Sequence, residues 1–372
     1  MRKKANQRKP LKIAYAAMLD LLRSNREVYL QLKNACKEVT VIDPWKSGFK
    51  PGFRFSALAG LLRTFLKNPV NFRNYYLKNP GSFKEMTKIC TRILEKTEPD
   101  AILQKQTLFR IDTLKISCPY FIYTDFTMKL AIREYPLWAP FVDKNEMERY
   151  LELESAAYKS TKMIFTYCDH TRASLIKDYG IAPQKVKTVG LGYNFSSFPD
   201  ISNKKYGPKF LFVGNDSRRK GYSTLTKAFE VARKKNSSLE LTVVGRVKDQ
   251  KQAGVTFLNE VNHEKMSEIF DQHSVLVVPS LCDPLPNVII EAFGRGLPVI
   301  ATTVDGIPEV VKPNLTGALF NPNDCKTLSS LLLHYAKNTM LMKRQGRNCQ
   351  KLVRNNYQWS IVVNKILEHL PK

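Results

Sequence analysis

At 372 residues and 43% hydrophobic content, the chain has the length of two ordinary domains and enough apolar material for full cores, so it reads as a globular protein. Its 59 Lys and Arg against 33 Asp and Glu give a net charge of +26, a field that favours an anionic partner: nucleic acid, an acidic membrane surface or a phosphorylated substrate. Seven scattered cysteines without a Cys-x-x-Cys pair argue for reduced thiols in a cytosolic compartment and against a disulfide framework, and no apolar run approaches the roughly 18 residues a membrane span needs.

The opening, MRKKANQRKP, is basic, but the apolar stretch behind it contains Lys12 and Asp20, so it reads as a first strand and turn and not as a signal peptide. Residues 11–17 predict a strand, 25–37 a helix and 39–43 a second strand, the opening of an α/β domain. Residues 1–84 hold 18 Lys and Arg but only 4 Asp and Glu. Within them, 44–84 carry eight basic residues, no acid and nine rings, including Trp45, Phe49, Phe53, Phe55, Phe65 and Phe72. Bases interleaved with aromatics suit a membrane interface, and single-stranded nucleic acid uses similar chemistry; for any single ring a place in the core is the commoner role. Strands follow at 99–103 and 120–124, a helix at 144–159, a strand at 163–166 and a helix at 170–178, and residues 186–189 end the first half. Residues 195–208, FSSFPDISNKKYGP, are rich in turn formers and read as a linker. Alternation resumes with strands at 210–213, 239–244, 255–258 and 275–278, and helices at 223–234 and 265–272. Helices at 327–338 and 357–370 close the chain, the last carrying Trp359, Leu367 and Leu370. The expected fold class is α/β, with two doubly wound Rossmann-like domains facing a cleft.

The richest stretch is 279–309, PSLCDPLPNVIIEAFGRGLPVIATTVDGIPE. A strand ends at Pro279, an acidic loop carries Asp283, and Pro286, Asn287 and Val288 open a helix whose positive end suits phosphate. Asn287 and Glu291 share a helix face. A carboxylate one turn down the helix can accept from both hydroxyls of a ribose, with Asp283 placed for hydroxyls further along the ligand; alternatively Glu291 is a solvated helix residue and Asp283 a turn former. A second constellation, 212–229, reads FVGNDSRRKGYSTLTKAF. A strand ends at Gly214, and Arg218, Arg219 and Lys220 precede Gly221 and a helix. Such bases can clamp a diphosphate, Arg as a fork and Lys as a point charge, or can be an ordinary basic surface loop. Neither Gly-x-x-x-x-Gly-Lys-Ser/Thr nor Gly-x-Gly-x-x-Gly after a strand occurs.

Together these stretches, with LTVVGR, VTFLNEV, LTGALF and the upstream FTYCDHTRASLIKDYGIAPQKVKTVGLGYN, make the chain resemble the family 4 glycosyltransferases, the large retaining group with the GT-B fold. The likeness is specific over about 160–350 and general before it. It implies a nucleotide-sugar donor, with UDP as the expected nucleotide, and a glycan or lipid-linked acceptor. It implies an acceptor-binding domain over 1–197 that also docks on membranes, a donor-binding domain over 198–355, and a helix over 356–372 crossing back. Glu291 then holds the ribose, Lys220 neutralises the diphosphate, and Asn287 and Val288 offer backbone N–H groups to phosphate. Asp283 stands where the family has Glu and contacts the transferred sugar. Asn215 stands where the family has Arg after the strand's Gly214, with Arg219 as its substitute. The first strand lacks the family's Gly-rich loop, and the acceptor-side His-Asp is missing. Asp125, in YTDFT, is the nearest candidate to contact sugar or acceptor, with a helix N-cap as the alternative. No Asp-x-Asp pair and no ligand spacing among the five histidines occur, so no metal or other cofactor is expected.

The leading expectation is a retaining glycosyltransferase, cytoplasmic and peripheral at the membrane. The alternatives are a catalytically degenerate GT-B scaffold, a nucleotide-sugar epimerase of related fold, and a basic anionic-polymer-binding protein. A nucleic-acid partner is disfavoured because no recognisable nucleic-acid motif accompanies the basic segment.

Overall fold

The structure, a computed structural model, describes residues 11–18, 23–49, 75–111, 116–247 and 252–371. The leader and most of the basic aromatic segment, including Phe53, Phe55, Phe65 and Phe72, lie outside them. The chain divides into two compact units, Met1–Val189 with Val362–Lys372, and Gly190–Ile361. Residues 195–208 are irregular and fall inside the second unit.

In the first unit, strands β1 (Lys12–Ala16), β2 (Glu38–Ile42), β3 (Ala101–Lys105), β4 (Tyr120–Thr124), β5 (Met163–Thr166) and β6 (Val186–Thr188) form one sheet in the order β2-β1-β3-β4-β5-β6. Every pairing is parallel. Strands β3 and β4 are buried at every position, as strands covered on both faces must be, which is why they read as apolar runs without alternation. Among the described residues the α-helices are α1 (Arg23–Ala35), α2 (Pro80–Leu94), α3 (Met128–Glu134), α4 (Lys144–Ser160) and α5 (Asp169–Lys177). Ile102, Ile122 and Ile164 of the strands pack with Phe83 and Met86 of α2 and Tyr150 and Tyr158 of α4 in a single core.

In the second unit, β7 (Lys209–Val213), β8 (Glu240–Val244), β9 (Val255–Leu258), β10 (Val275–Val278), β11 (Val299–Thr302) and β12 (Gly317–Phe320) run parallel in the order β12-β11-β10-β7-β8-β9. Helices α6 (Tyr222–Lys235), α7 (His263–Gln272), α8 (Asn287–Gly294), α9 (Ile307–Val310), α10 (Cys325–Ala336) and α11 (Thr339–Asn356) join them. Helix α12 (Trp359–Leu367) starts in this unit, and its residues from Val362 on belong to the first. The order of the six strands is that of a doubly wound sheet. From β7 the chain winds outward through β8 and β9; from β10 it winds the other way through β11 and β12. The crevice at the carboxyl ends of β7 and β10 is therefore the topological switch point, where open α/β sheets take ligands.

Among the described residues no helix is long and apolar enough to cross a membrane.

Candidate active site

Both constellations singled out in the sequence meet at that switch point. The loop after β7 and the loop after β10 are tied together where Leu281 N donates to Arg219 O at 2.7 Å. Their approach depends on Gly221, which caps α6 with φ +67°, and whose missing Cβ would lie 1.8 Å from the Pro279 carbonyl. Only glycine combines a left-handed backbone with such contact.

Across this seam Lys220 Nζ donates a short hydrogen bond to Asp283 Oδ2. Arg219 Nη1 lies 3.2 Å from the same oxygen and donates to Cys282 O at 2.8 Å. Ser280 Oγ adds a third donor to Asp283 Oδ2 at 3.2 Å. Burial pushes the Asp283 carboxyl up, but the Lys220 and Arg219 charges and the hydrogen bonds outweigh it and hold the group below the usual carboxylate range. Burial depresses the Lys220 ammonium; Asp283 works against that shift and Arg219 reinforces it. The cluster is a carboxylate shared by two confined cations, with one positive charge in excess. Gly214 makes room for the lysine stem: a Cβ there would stand 2.9 Å from Lys220 Cγ.

Asn215 does not join this cluster. Its amide donates to Glu260 and its Oδ1 accepts from Arg246 N at 3.1 Å, so the position after Gly214 braces the β8 end while Arg219 faces Asp283.

The loop carrying Asp283 is fixed from behind by a residue the sequence reading left unassigned. Asp283 N donates to Asp305 Oδ2, and Gly306 N donates to Pro284 O at 2.8 Å. Asp305 adopts φ +49° to do this, a conformation Asp tolerates better than most side chains. Pro286 then caps α8, and Asn287 and Val288 are its first two residues, whose N–H groups have no partner inside a helix. Asn287 Oδ1 is buried and has no hydrogen-bond partner among the described residues.

Glu291, one turn further on, is half-buried and accepts from Asn194 Nδ2 at 2.7 Å. Asn194 Oδ1 accepts in turn from the Trp359 indole at 3.0 Å. Neither partner was expected at the site. The signal available was the GLGYN run, whose glycines at 190 and 192 demand a close neighbour.

In the first unit, Asp125 follows β4 and its carbonyl accepts from Thr171 Oγ1 at 2.6 Å. The N-cap of α3 is Thr127, not Asp125: Thr127 Oγ1 accepts from Leu130 N. Asp125 lines a cavity of about 350 Å³ together with Lys78, Gln106, Trp138 and Glu154. The Glu154 carboxyl accepts from Met128 N and from the hydroxyls of Tyr158 and Tyr179. Burial nonetheless pushes it up to about 7. Next to Asp125, the buried Lys105 ammonium donates to Tyr167 and lies 4.0 and 4.1 Å from the ring centres of Tyr123 and Tyr167. Burial lowers it to about 7, with Asp125 opposing.

Comparison with known proteins bears on the second unit most directly: residues 195–352 match the family described as glycosyl transferases group 1. Through this segment the chain is similar to that family. The group 1 segment spans the switch point and contains Arg219, Lys220, Asp283 and Glu291. A phosphatidyl-myo-inositol mannosyltransferase of Mycobacterium leprae is 27% identical over 185 residues, covering 47% of this chain and 49% of that protein. The chain spans about half the length of the curated relatives it matches. Among solved structures, a sucrose-phosphate synthase from Thermosynechococcus elongatus superposes with a TM-score of 0.69 over 96% of this chain and 98% of its own, at 16% identity. The Anabaena protein HepE, solved with UDP and glucose, gives 0.66 over 97% and 99%, at 13% identity. These likenesses show the fold, which is GT-B with two parallel six-stranded α/β units.

Proposed function

We propose that this protein is a retaining glycosyltransferase that moves a sugar from a nucleotide-sugar, with UDP as carrier, to a glycan or lipid-linked acceptor. The observation that carries the reading is the meeting of Lys220, Arg219 and Asp283 at the β7/β10 switch point, beside the start of α8. Cleaving the donor builds negative charge on the departing diphosphate and positive charge on the sugar. Lys220, Arg219 and the first N–H groups of α8 answer the former without reorganising. Glu291 takes the ribose hydroxyls and Asp283 the sugar hydroxyls. As the bond to the diphosphate breaks, its oxygen accepts the acceptor's proton on the same face, so no protein nucleophile is required. Asp125, beside its cavity, is the acceptor-side contact. The scheme calls for no metal, so EDTA should leave turnover unchanged. Docking of residues 44–84 on anionic lipid would bring the enzyme to a lipid-linked acceptor, each base adding about 1 kcal/mol.

Screening UDP-, GDP- and CDP-sugars for binding and slow hydrolysis tests the reading. One class should bind, and Glu291→Ala and Lys220→Ala should each weaken it about tenfold or more. Absence of binding by the wild-type chain rejects the function; unchanged binding in both variants rejects the site.

A further inference from the structure

The segment from Gly190 to Asn194 is shaped to deliver one side chain. A Cβ on Gly192 would lie 2.2 Å from the Trp359 ring, and one on Gly294 would lie 2.2 Å from the Tyr193 ring. The two glycines thus seat two rings against the backbone on either side of Asn194. Tyr193 N donates to Tyr357 O at 2.7 Å, and the Asn194 carbonyl lies 3.1 Å from His263 Nε2. Asn194 is 5% exposed and Trp359 4% exposed.

The chemistry of the partners then fixes which way the Asn194 amide faces. An indole N–H can only donate, so the atom that meets Trp359 must be Oδ1; an ionised carboxylate can only accept, so the atom that meets Glu291 must be Nδ2. The observed contacts, 3.0 and 2.7 Å, follow that polarity. A flipped amide would set oxygen against carboxylate and two donors against each other. Trp359, 165 residues away in the chain, therefore sets the orientation of the donor that restrains Glu291.

We propose that Asn194, oriented by the Trp359 indole, is a positioning residue that holds the Glu291 carboxylate in the pose that receives the ribose hydroxyls of a nucleoside diphosphate. The inference rests on the donor-site reading above and adds two residues that act through Glu291 without touching the ligand. Restraining the carboxylate in advance removes an ordering cost that binding would otherwise carry, and the benefit appears only for ligands that use the carboxylate.

That dependence separates positioning from general support of the fold. Calorimetry would compare UDP and GDP with their 2′-deoxy counterparts on the full chain. In the wild type, loss of the 2′-hydroxyl should weaken binding about tenfold. In Asn194→Ala the ribonucleotide should weaken by a similar factor while the deoxynucleotide barely moves, so their ratio falls toward one. Trp359→Phe keeps a ring against Gly192 but removes the N–H, and should lower the same ratio by a smaller factor; it carries the test where Asn194→Ala fails to fold. A ratio left at the wild-type value in folded variants overturns the proposal, because a merely structural role weakens both ligands alike. Failure of the wild-type chain to bind either nucleotide rejects the donor-site reading itself and the inference with it.

Discussion

Asp283 carries one negative charge between two cations, and removing it strands both. Its side chain is 9% exposed and those of Lys220 and Arg219 are 13% exposed, so Asp283→Asn should cost about 3 kcal/mol or more in urea unfolding of the chain. Lys220→Met leaves Asp283 still paired with Arg219 and should cost less while abolishing donor binding. The acid limb of stability has a defined sign here. The Asp283 carboxyl is held below its ordinary value, so its contribution is present above that value and is lost as pH falls through the lowered one. Two groups in the first unit act in other windows. Glu154 is raised from 4.5 to about 7, so the folded chain binds the extra proton and stability falls as pH rises across that interval. Lys105 is lowered from 10.5 to about 7, so stability falls as pH drops across that interval. Together they place a dip near pH 7. Melting curves from pH 4 to 10 should show Glu154→Gln removing the acid side of the dip and Lys105→Met the alkaline side.

At the level of elements, the strands were legible because parallel strands buried on both faces are short apolar runs, as in VLVV of β10. Helix α6 was legible from its apolar spacing behind Gly221. Helix α11 was not. It buries Met342, Gln345, Gly346, Cys349, Gln350 and Val353, a face at regular helical spacing of which half is glutamine or glycine, so the helix is polar on average and lacks the apolar stripe that marks one. Gly346 sits there because a Cβ would come within 2.3 Å of the Gly296 carbonyl. Helix α2 carries three signals, Asn79 accepting from Ser82 N, Pro80 in the first turn, and Phe83, Met86, Cys90 and Leu94 at helical spacing, and it was missed because it follows directly on the basic aromatic run. The turn into α6 makes the sharpest prediction at this scale. Gly221→Ala adds left-handed strain to a contact with the Pro279 carbonyl and should cost more than about 2 kcal/mol in chemical denaturation. It should also weaken UDP binding, because Lys220 and Asp283 belong to the two loops it holds together.

For the whole molecule the governing quantity is charge. At +26 the chain should pellet with anionic vesicles in low salt and not with neutral ones. Raising the ionic strength to about 1 M, where the Debye length is only about 3 Å, should release it. Of the segment expected to dock, only its ends are described: Trp45 is 53% exposed, and it packs with Phe49 and Tyr76, their ring centres 6.1 and 5.9 Å away. Nucleotide binding offers a second test on the intact chain. UDP at about 100 times its dissociation constant should stabilise the unit that binds it by about 2.7 kcal/mol, read as a rise in its melting temperature, and Glu291→Ala should remove most of the rise.

The sequence by itself determined the alternation of strands and helices, the three bases before Gly221, and the acids Asp283 and Glu291 around a helix start, because these depend on neighbours within a few residues. Tertiary structure alone decided what those residues face. Pairing of β7 with β10 brought Lys220 to Asp283, 63 positions away. It turned Arg219 inward and Asn215 aside, and it set Asn194 and Trp359 behind Glu291. A backbone pattern repeats every two or four residues and can be read locally. Which loops share a crevice depends on strand order, and strand order is settled by burying whole sheet faces at once.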